Sequence, residues 1–282
     1  MIGICGGVGP AAGVLLHQAI LQHTDSHGID QGHLPVCHLS RSADVSSRAE
    51  FLARLKTTDK DDEKLENPAS GMARTFERMQ RIVAADNEAL VVGIPCITFH
   101  VRPIWDEFRR LVDLNDDGRC RGAANVRCLH MLQETASFLA ETAPHARRVG
   151  VMCTNGSRDA RIFNDLLEPL GYEVLEVPAD TQQELHDTIL NPEWGIKSNA
   201  PVIQPRCAAN FHRYARMLID AGSDAIILGC TEIPLVFNGL TSLDGVMLVD
   251  PIVALARALI RGSDPSRLRP FDIGGVRDDA CP

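Results

Sequence analysis

What the 282-residue chain lacks narrows the field first. Aromatic residues make up only 5% of it, with two tryptophans and two tyrosines, so aliphatic side chains must fill most of any core. No apolar run approaches the ~20 residues that a membrane helix needs. Basic residues are not in excess: 28 Lys and Arg stand against 37 Asp and Glu, a formal net charge of -9. Clustered cations for phosphate contacts are missing, which sets nucleic-acid binding aside. The nine cysteines, at positions 5, 37, 96, 120, 128, 153, 207, 230 and 281, are odd in number and form no close pairs. A disulfide framework is not expected, and free thiols suit a reducing compartment. Met1–Gly6 runs from a short apolar strand straight into glycines, without the basic and long apolar stretches of a signal peptide. These readings predict a soluble, cytoplasmic protein. No internal repeat or low-complexity tract is evident.

What is present is ordinary for a globular chain, 45% hydrophobic and 23% charged. Short β-rich runs alternate with longer amphipathic stretches. Strands are expected at Ile2–Cys5, Leu34–Leu39, Ala89–Ile94, Arg148–Cys153, Tyr172–Glu176, Ala225–Leu228 and Val246–Val249. Helices are expected at Pro10–Thr24, Gly71–Ala85, Ile104–Val112, Asn125–Glu141, Ser157–Leu167, Asp180–Leu190, Arg206–Ala221 and Pro251–Arg261. This alternation implies parallel sheets with helices on both faces. The polar, glycine-containing stretch Asp113–Ala124 reads as a loop or domain boundary. Two α/β halves follow, drawn as residues 1–115 with 236–282, and residues 116–235. The charge-dense Lys56–Ser70 segment reads as a solvated excursion, and the polar tail after Gly262 as partly disordered.

Gly7-Val8-Gly9-Pro10-Ala11-Ala12 formally satisfies a dinucleotide fingerprint after a strand. The acid that would hold the ribose should end a second strand about 20 residues on. Asp25 and Asp30 stand near that distance, but in a polar His- and Gly-rich stretch. A nucleotide-dependent oxidoreductase is therefore disfavoured. The glycine turn still aims backbone N–H groups at an anion above the sheet, and a carboxylate suits it as well as a phosphate does.

The informative segments lie far apart. Val91-Val92-Gly93-Ile94-Pro95-Cys96-Ile97-Thr98 and Ala225-Ile226-Ile227-Leu228-Gly229-Cys230-Thr231-Glu232 are each an apolar strand followed by Cys and then Thr. Ligands of open parallel sheets bind beyond the carboxyl ends of strands, where both thiols fall. A single free cysteine is usually a small buried hydrophobe, which is the reading for the other seven. Two such signatures in two halves point to chemistry. Two opposed thiols suit racemisation at an α-carbon: one removes a proton from one face, the other returns a proton to the opposite face. Thr hydroxyls and backbone N–H groups would stabilise the developing charge. His100 reads as a histidine bonded to backbone at a helix start, or as one that tunes Cys96. Cys120, Cys128 and His130 have no usual zinc-ligand spacing, so no metal is expected.

The segments IGICGGVGP, IPCITFH, HVRPIWDEF, VGVMCTNGS, AGSDAIILGCTEIPLV and the closing VDP cover most of the chain. In them the sequence resembles the cofactor-independent aspartate/glutamate racemases of the Asp/Glu/hydantoin racemase superfamily. The resemblance implies two flavodoxin-like α/β domains related by a pseudo-two-fold, with the site in the cleft between them. It implies no pyridoxal phosphate, no metal, an acidic amino acid as substrate and a homodimer. It makes Cys96 and Cys230 the proton donor and acceptor, Val8 a substrate-lining residue and Arg48 the grip on the substrate's side-chain carboxylate. Thr98, Thr154 and Thr231 become candidate carboxylate contacts, and Glu232 follows the second Cys-Thr. Two departures fall on recognition positions. Ile97 stands where the family usually has Asn, and the family's lysine near the substrate is replaced by Arg158 or supplied by Lys197. Hydantoin racemase, maleate isomerase, arylmalonate decarboxylase and an inactive amino-acid-binding protein remain alternatives.

Overall fold

The computed structural model describes residues 1–55, 65–84, 88–200 and 202–272. Of the Lys56–Ser70 segment, residues 56–64 lie outside this range, as do residues 273–282 of the tail, Cys281 among them. The chain begins with β1 (Ile2–Gly6), buried along its whole length, then α1 (Pro10–His23), β2 (Val36–Ser40), α2 (Arg48–Leu55) and α3 (Pro68–Ala84). β3 (Leu90–Gly93), α4 (Arg102–Leu111), β4 (Arg119–Cys120), β5 (Ala123–Cys128) and α5 (Met131–Thr142) follow. Next come β6 (Arg148–Met152), α6 (Asn155–Asp159), α7 (Ile162–Leu167), β7 (Glu173–Glu176), α8 (Ala179–Leu190), α9 (Ile196–Asn199) and α10 (Pro205–Asp220). The chain ends with β8 (Ala225–Leu228), α11 (Pro234–Phe237), β9 (Ser242–Leu243), β10 (Val246–Val249) and α12 (Pro251–Ser263).

Two compact units result, one of Met1–Glu134 with Pro251–Arg269, the other of Thr135–Asp250 with Pro270–Pro282. The first sheet has the order β2-β1-β3-β5-β4 and the second β7-β6-β8-β10-β9. Each opens with three parallel strands, adds a fourth in parallel and closes with an antiparallel edge strand. The sheets are therefore mixed, where parallel ones were expected. The two units repeat one strand order with no repeat visible in the sequence.

Glycines show the layering of the first unit. A Cβ on Gly3 would meet Met79 of α3, whereas one on Gly93 would meet Leu255 and Leu259 of α12. Gly93 pairs with Ile4, next to Gly3 on β1, and successive residues of a strand face opposite ways. So α3 covers one face and α12, packed on α1, the other. In the second unit Met152, Ile226 and Leu248 from the sheet pack with Leu185 and Ile189 of α8 and Phe211 and Tyr214 of α10 in one cluster.

The compact units divide at residues 134/135 and 250/251, beside the expected divisions near 115 and 235. Asp113–Ala124 is not a linker: it turns through positive φ at Asp113 and Gly118 and pairs β4 with β5 at the edge of the first sheet. An edge strand faces water, which is why the stretch is polar. The expected helix Asn125–Glu141 divides likewise. Val126 and Cys128 alternate with more exposed neighbours and join the ladder with β3 before α5 begins. The expected helix Ser157–Leu167 is broken at Arg161, which sits at φ 50. Residues beyond Gly262 are ordered as far as they are described: Leu268 bridges Thr24, and the Asp25 N–H donates to the Arg267 carbonyl.

Candidate functional site

In the first unit Val8 and Cys96 follow the carboxyl ends of β1 and β3, and Arg48 opens α2 eight residues beyond β2. Gly7 and Gly9 have φ of 97 and 105, a conformation that L side chains resist. A Cβ on Gly7 would lie 2.9 Å from the Arg41 backbone, so the turn after β1 and the segment after β2 touch through a position only glycine can fill. Val8, between the glycines, is 1% exposed. No ribose-binding acid ends β2: Asp25 bonds the His27 N–H, and Asp44 is held by Arg41 at 2.6 Å and Arg78 at 3.1 Å.

The Asp44 carbonyl also accepts from Arg74 at 3.0 Å, which fastens the segment leading into α2 onto α3. There Gly71 is pressed against it: a Cβ would fall 1.8 Å from the Asp44 oxygen. Alanine normally stabilises a helix interior relative to glycine. At this position we expect the reverse, a loss of about 1–3 kcal/mol from overpacking. Denaturant titration of Gly71→Ala checks it. Arg48 opens α2, and its buried Nε has no hydrogen-bond partner.

Cys96 lies just beyond β3, in extended conformation at φ -155, and caps a 3-10 turn formed by Ile97–His100. It is 6% exposed. Ile97 and His100 are buried and Thr98 half-buried. His100 bonds the Cys96 carbonyl through Nδ1 at 2.8 Å, while its buried Nε2 has no partner. This supports the backbone-bonded reading of that residue. Trp105 and His130 pack around the ring, with centroids 4.8 and 4.7 Å away. Burial drives the His100 pKa well below its usual value, assisted by His130, which burial in turn holds at about 4.

In the second unit the end of β8 lies beside that of β6, since Leu228 pairs with Met152. Cys230 is 6% exposed and belongs to the hydrophobic cluster, yet its thiol does not end in hydrocarbon. Sγ donates to Glu232 Oε2 at 3.1 Å. The Thr231 hydroxyl donates to the same oxygen at 2.9 Å, and Lys197 Nζ approaches it at 3.3 Å. Burial pushes the Cys230 thiol up to about 12, with Lys197 opposing and the Glu232 carboxylate reinforcing the shift. Thr154 is half-buried and caps α6, its hydroxyl accepting from the Ser157 N–H. Arg158 pairs with Glu176 at 2.8 Å and donates to the Val177 carbonyl and to Gln182. Those internal partners engage its guanidinium, so Lys197 is the cation that the fold places at the cysteine.

Sequence reasoning missed the support beneath Lys197. Arg206 stacks over Trp194 at 3.9 Å, and the Cys207 thiol donates to the Trp194 carbonyl at 2.9 Å. All eight described cysteines are free. Among the described residues no group of three or more His, Cys, Asp or Glu could hold a metal ion, and no helix is long and apolar enough to cross a membrane.

Over 92–93% of its length the chain is similar to two solved structures. One is the aspartate racemase of Picrophilus torridus, 21% identical with a TM-score of 0.65 and 93% of that chain covered. The other is an aspartate racemase homologue of Pyrococcus horikoshii, 18% identical with a TM-score of 0.61 and 97% covered. Glutamate racemase of Francisella tularensis, solved with D-glutamate, is 15% identical with a TM-score of 0.50, covering 96% of this chain and 84% of that one. At such identities the likeness establishes the fold, two α/β units with helix-flanked sheets. The family model described as Asp/Glu/Hydantoin racemase matches residues 5–259, and the chain belongs to that family of racemases, which are isomerases.

Proposed function

We propose that this protein racemises an acidic amino acid, aspartate or glutamate, by passing the α-proton between Cys96 and Cys230 without a cofactor. The observation that carries the reading is topological. Two sheets share one strand order, and in each the central third strand, β3 or β8, ends in a cysteine within three residues. A pair of thiols at equivalent strand positions suits a reaction whose substrate and product are mirror images. One thiolate removes the α-proton, the other thiol supplies one to the opposite face, and the roles exchange with substrate handedness.

Two cations suit a dicarboxylic substrate. The Arg48 guanidinium offers paired donors to one carboxylate, and Lys197 faces the Cys230 end. Val8, Thr98, Thr154 and Thr231 complete the lining in this reading. Ile97 provides only its backbone N–H where the family's amide would add a side-chain donor. The free thiols favour the cytoplasm, and a homodimer is the expected assembly.

The test is chirality. Purified protein without pyridoxal phosphate or added metal should convert L-aspartate or L-glutamate toward the racemic mixture, as read by chiral chromatography. No conversion of any proteinogenic amino acid would refute the proposal. Arg48→Ala should lower kcat/KM for the acidic substrate about 10–100-fold, the worth of a charged hydrogen bond, and leave any turnover of neutral amino acids nearly unchanged. An equal loss on both would make Arg48 structural.

A further inference from the structure

We propose that Glu232 stores the Cys230 proton and that Lys197 controls when the store fills, so that the thiolate forms only when an acidic substrate is seated. This inference rests on the racemase reading. It starts from three groups converging on one carboxylate oxygen: the Cys230 thiol at 3.1 Å, the Thr231 hydroxyl at 2.9 Å and the Lys197 ammonium at 3.3 Å. Glu232 is 3% exposed, whereas the Lys197 side chain is 27% exposed. The lysine is thus the member of the pair that a solute reaches.

Without substrate, Lys197 pairs with the Glu232 carboxylate, which accepts the hydrogen of the Cys230 thiol. A buried carboxylate beside a thiol resists a second negative charge, in line with the upward shift at Cys230. An incoming substrate carboxylate competes for the ammonium. When Lys197 turns to it, Glu232 is left buried without its cation, and such a carboxylate favours its neutral form. The nearest proton is on Cys230. The S–H bond breaks, an O–H bond forms at Oε2, and the electron pair stays on sulfur. The Glu232 backbone N–H, which already lowers the thiol's pKa, remains as a donor to the thiolate. The thiolate then removes the substrate's α-proton. Product departure returns Lys197 to Glu232, the stored proton leaves to solvent, and Cys96, which gave its proton to the product, takes one back from solvent. No electrons are transferred, and the protons balance over the cycle.

The experiment is α-proton exchange in heavy water, followed by NMR separately for the L and D forms of aspartate and glutamate. Wild type should exchange both enantiomers of its substrate. In Glu232→Gln, exchange of the enantiomer that Cys230 deprotonates should fall about 100-fold or more near neutral pH, while the other changes by less than about threefold. The lost exchange should recover about tenfold per pH unit on raising the pH, because the thiol must now ionise unaided. Glu232→Asp, which keeps a titratable carboxylate but draws it back from sulfur, should show the same one-sided loss at about tenfold. It carries the test should the Gln variant not fold. Equal losses on both faces, or a loss with no pH dependence, would assign Glu232 a structural role and overturn the proton store alone. Wild type that exchanges neither acid would overturn the racemase reading, and this inference with it.

Discussion

Cys230→Ser should lower racemisation about 10³-fold or more, and Cys96→Ser should do the same, because positioned acid–base groups typically contribute 10²–10⁴-fold. A serine hydroxyl is nearly isosteric with a thiol but far less acidic, so it cannot serve as the base near neutral pH. Both side chains are only 6% exposed, and the replacement adds no bulk to either packed turn. The enantiomers are equal in free energy, so each variant must lose the forward and reverse conversions in the same proportion. Solvent exchange at the α-carbon escapes that constraint. Cys230→Ser should still exchange the enantiomer whose proton Cys96 removes, and Cys96→Ser the opposite one, each without inversion. Racemisation within about tenfold of wild type in either variant would remove that residue from the chemistry. Loss of exchange on both faces in both variants would show that the substitutions had damaged the fold instead.

The strands that position these cysteines were legible because they are buried. Ala225–Leu228 and Val246–Val249 were bounded correctly from apolar β-branched runs alone, since a strand covered on both faces has no polar alternation to blur it. Ala123–Cys128 was not legible. Its residues fit a helix as readily as a strand, and long-range pairing with β3 decides between them. The reading of Asp113–Ala124 as a loop or boundary went astray for the same reason, since a polar edge hairpin and a polar linker share a composition.

The candidate site divides along similar lines. Cys96, Cys230 and the glycine turn follow strands and announce themselves by position. Lys197 does not, because it stands on the short helix α9, far in sequence from Cys230, and Trp194 and Arg206 come together only once α10 has packed. Arg158 looked equally suitable on sequence. The carboxylate of Glu176 distinguishes the two cations, and it comes from a different strand.

Acid should destabilise this protein at a milder pH than carboxylate titration alone would produce. His130 and His23 are held at about 4 by burial, and His100 lies well below its usual value next to them in cause. In the unfolded chain these imidazoles protonate near pH 6.5. Between about pH 6.5 and 4 the unfolded state therefore binds more protons than the native state, and stability falls as the pH falls. The contribution is complete above that window, and for His130 it levels off below it after a loss on the order of 3 kcal/mol. Carboxylates held down by hydrogen bonds act in the same direction but lower. Asp224, which accepts the Arg147 and Arg148 backbone N–H groups, loses its contribution only below about pH 4. Urea titrations at pH 7.5, 5.5 and 4.5 separate the two groups. A midpoint that drops already between 7.5 and 5.5, and a smaller drop in His130→Asn, are the expected results. A flat midpoint down to pH 4.5 would mean that these imidazoles protonate without opening the fold.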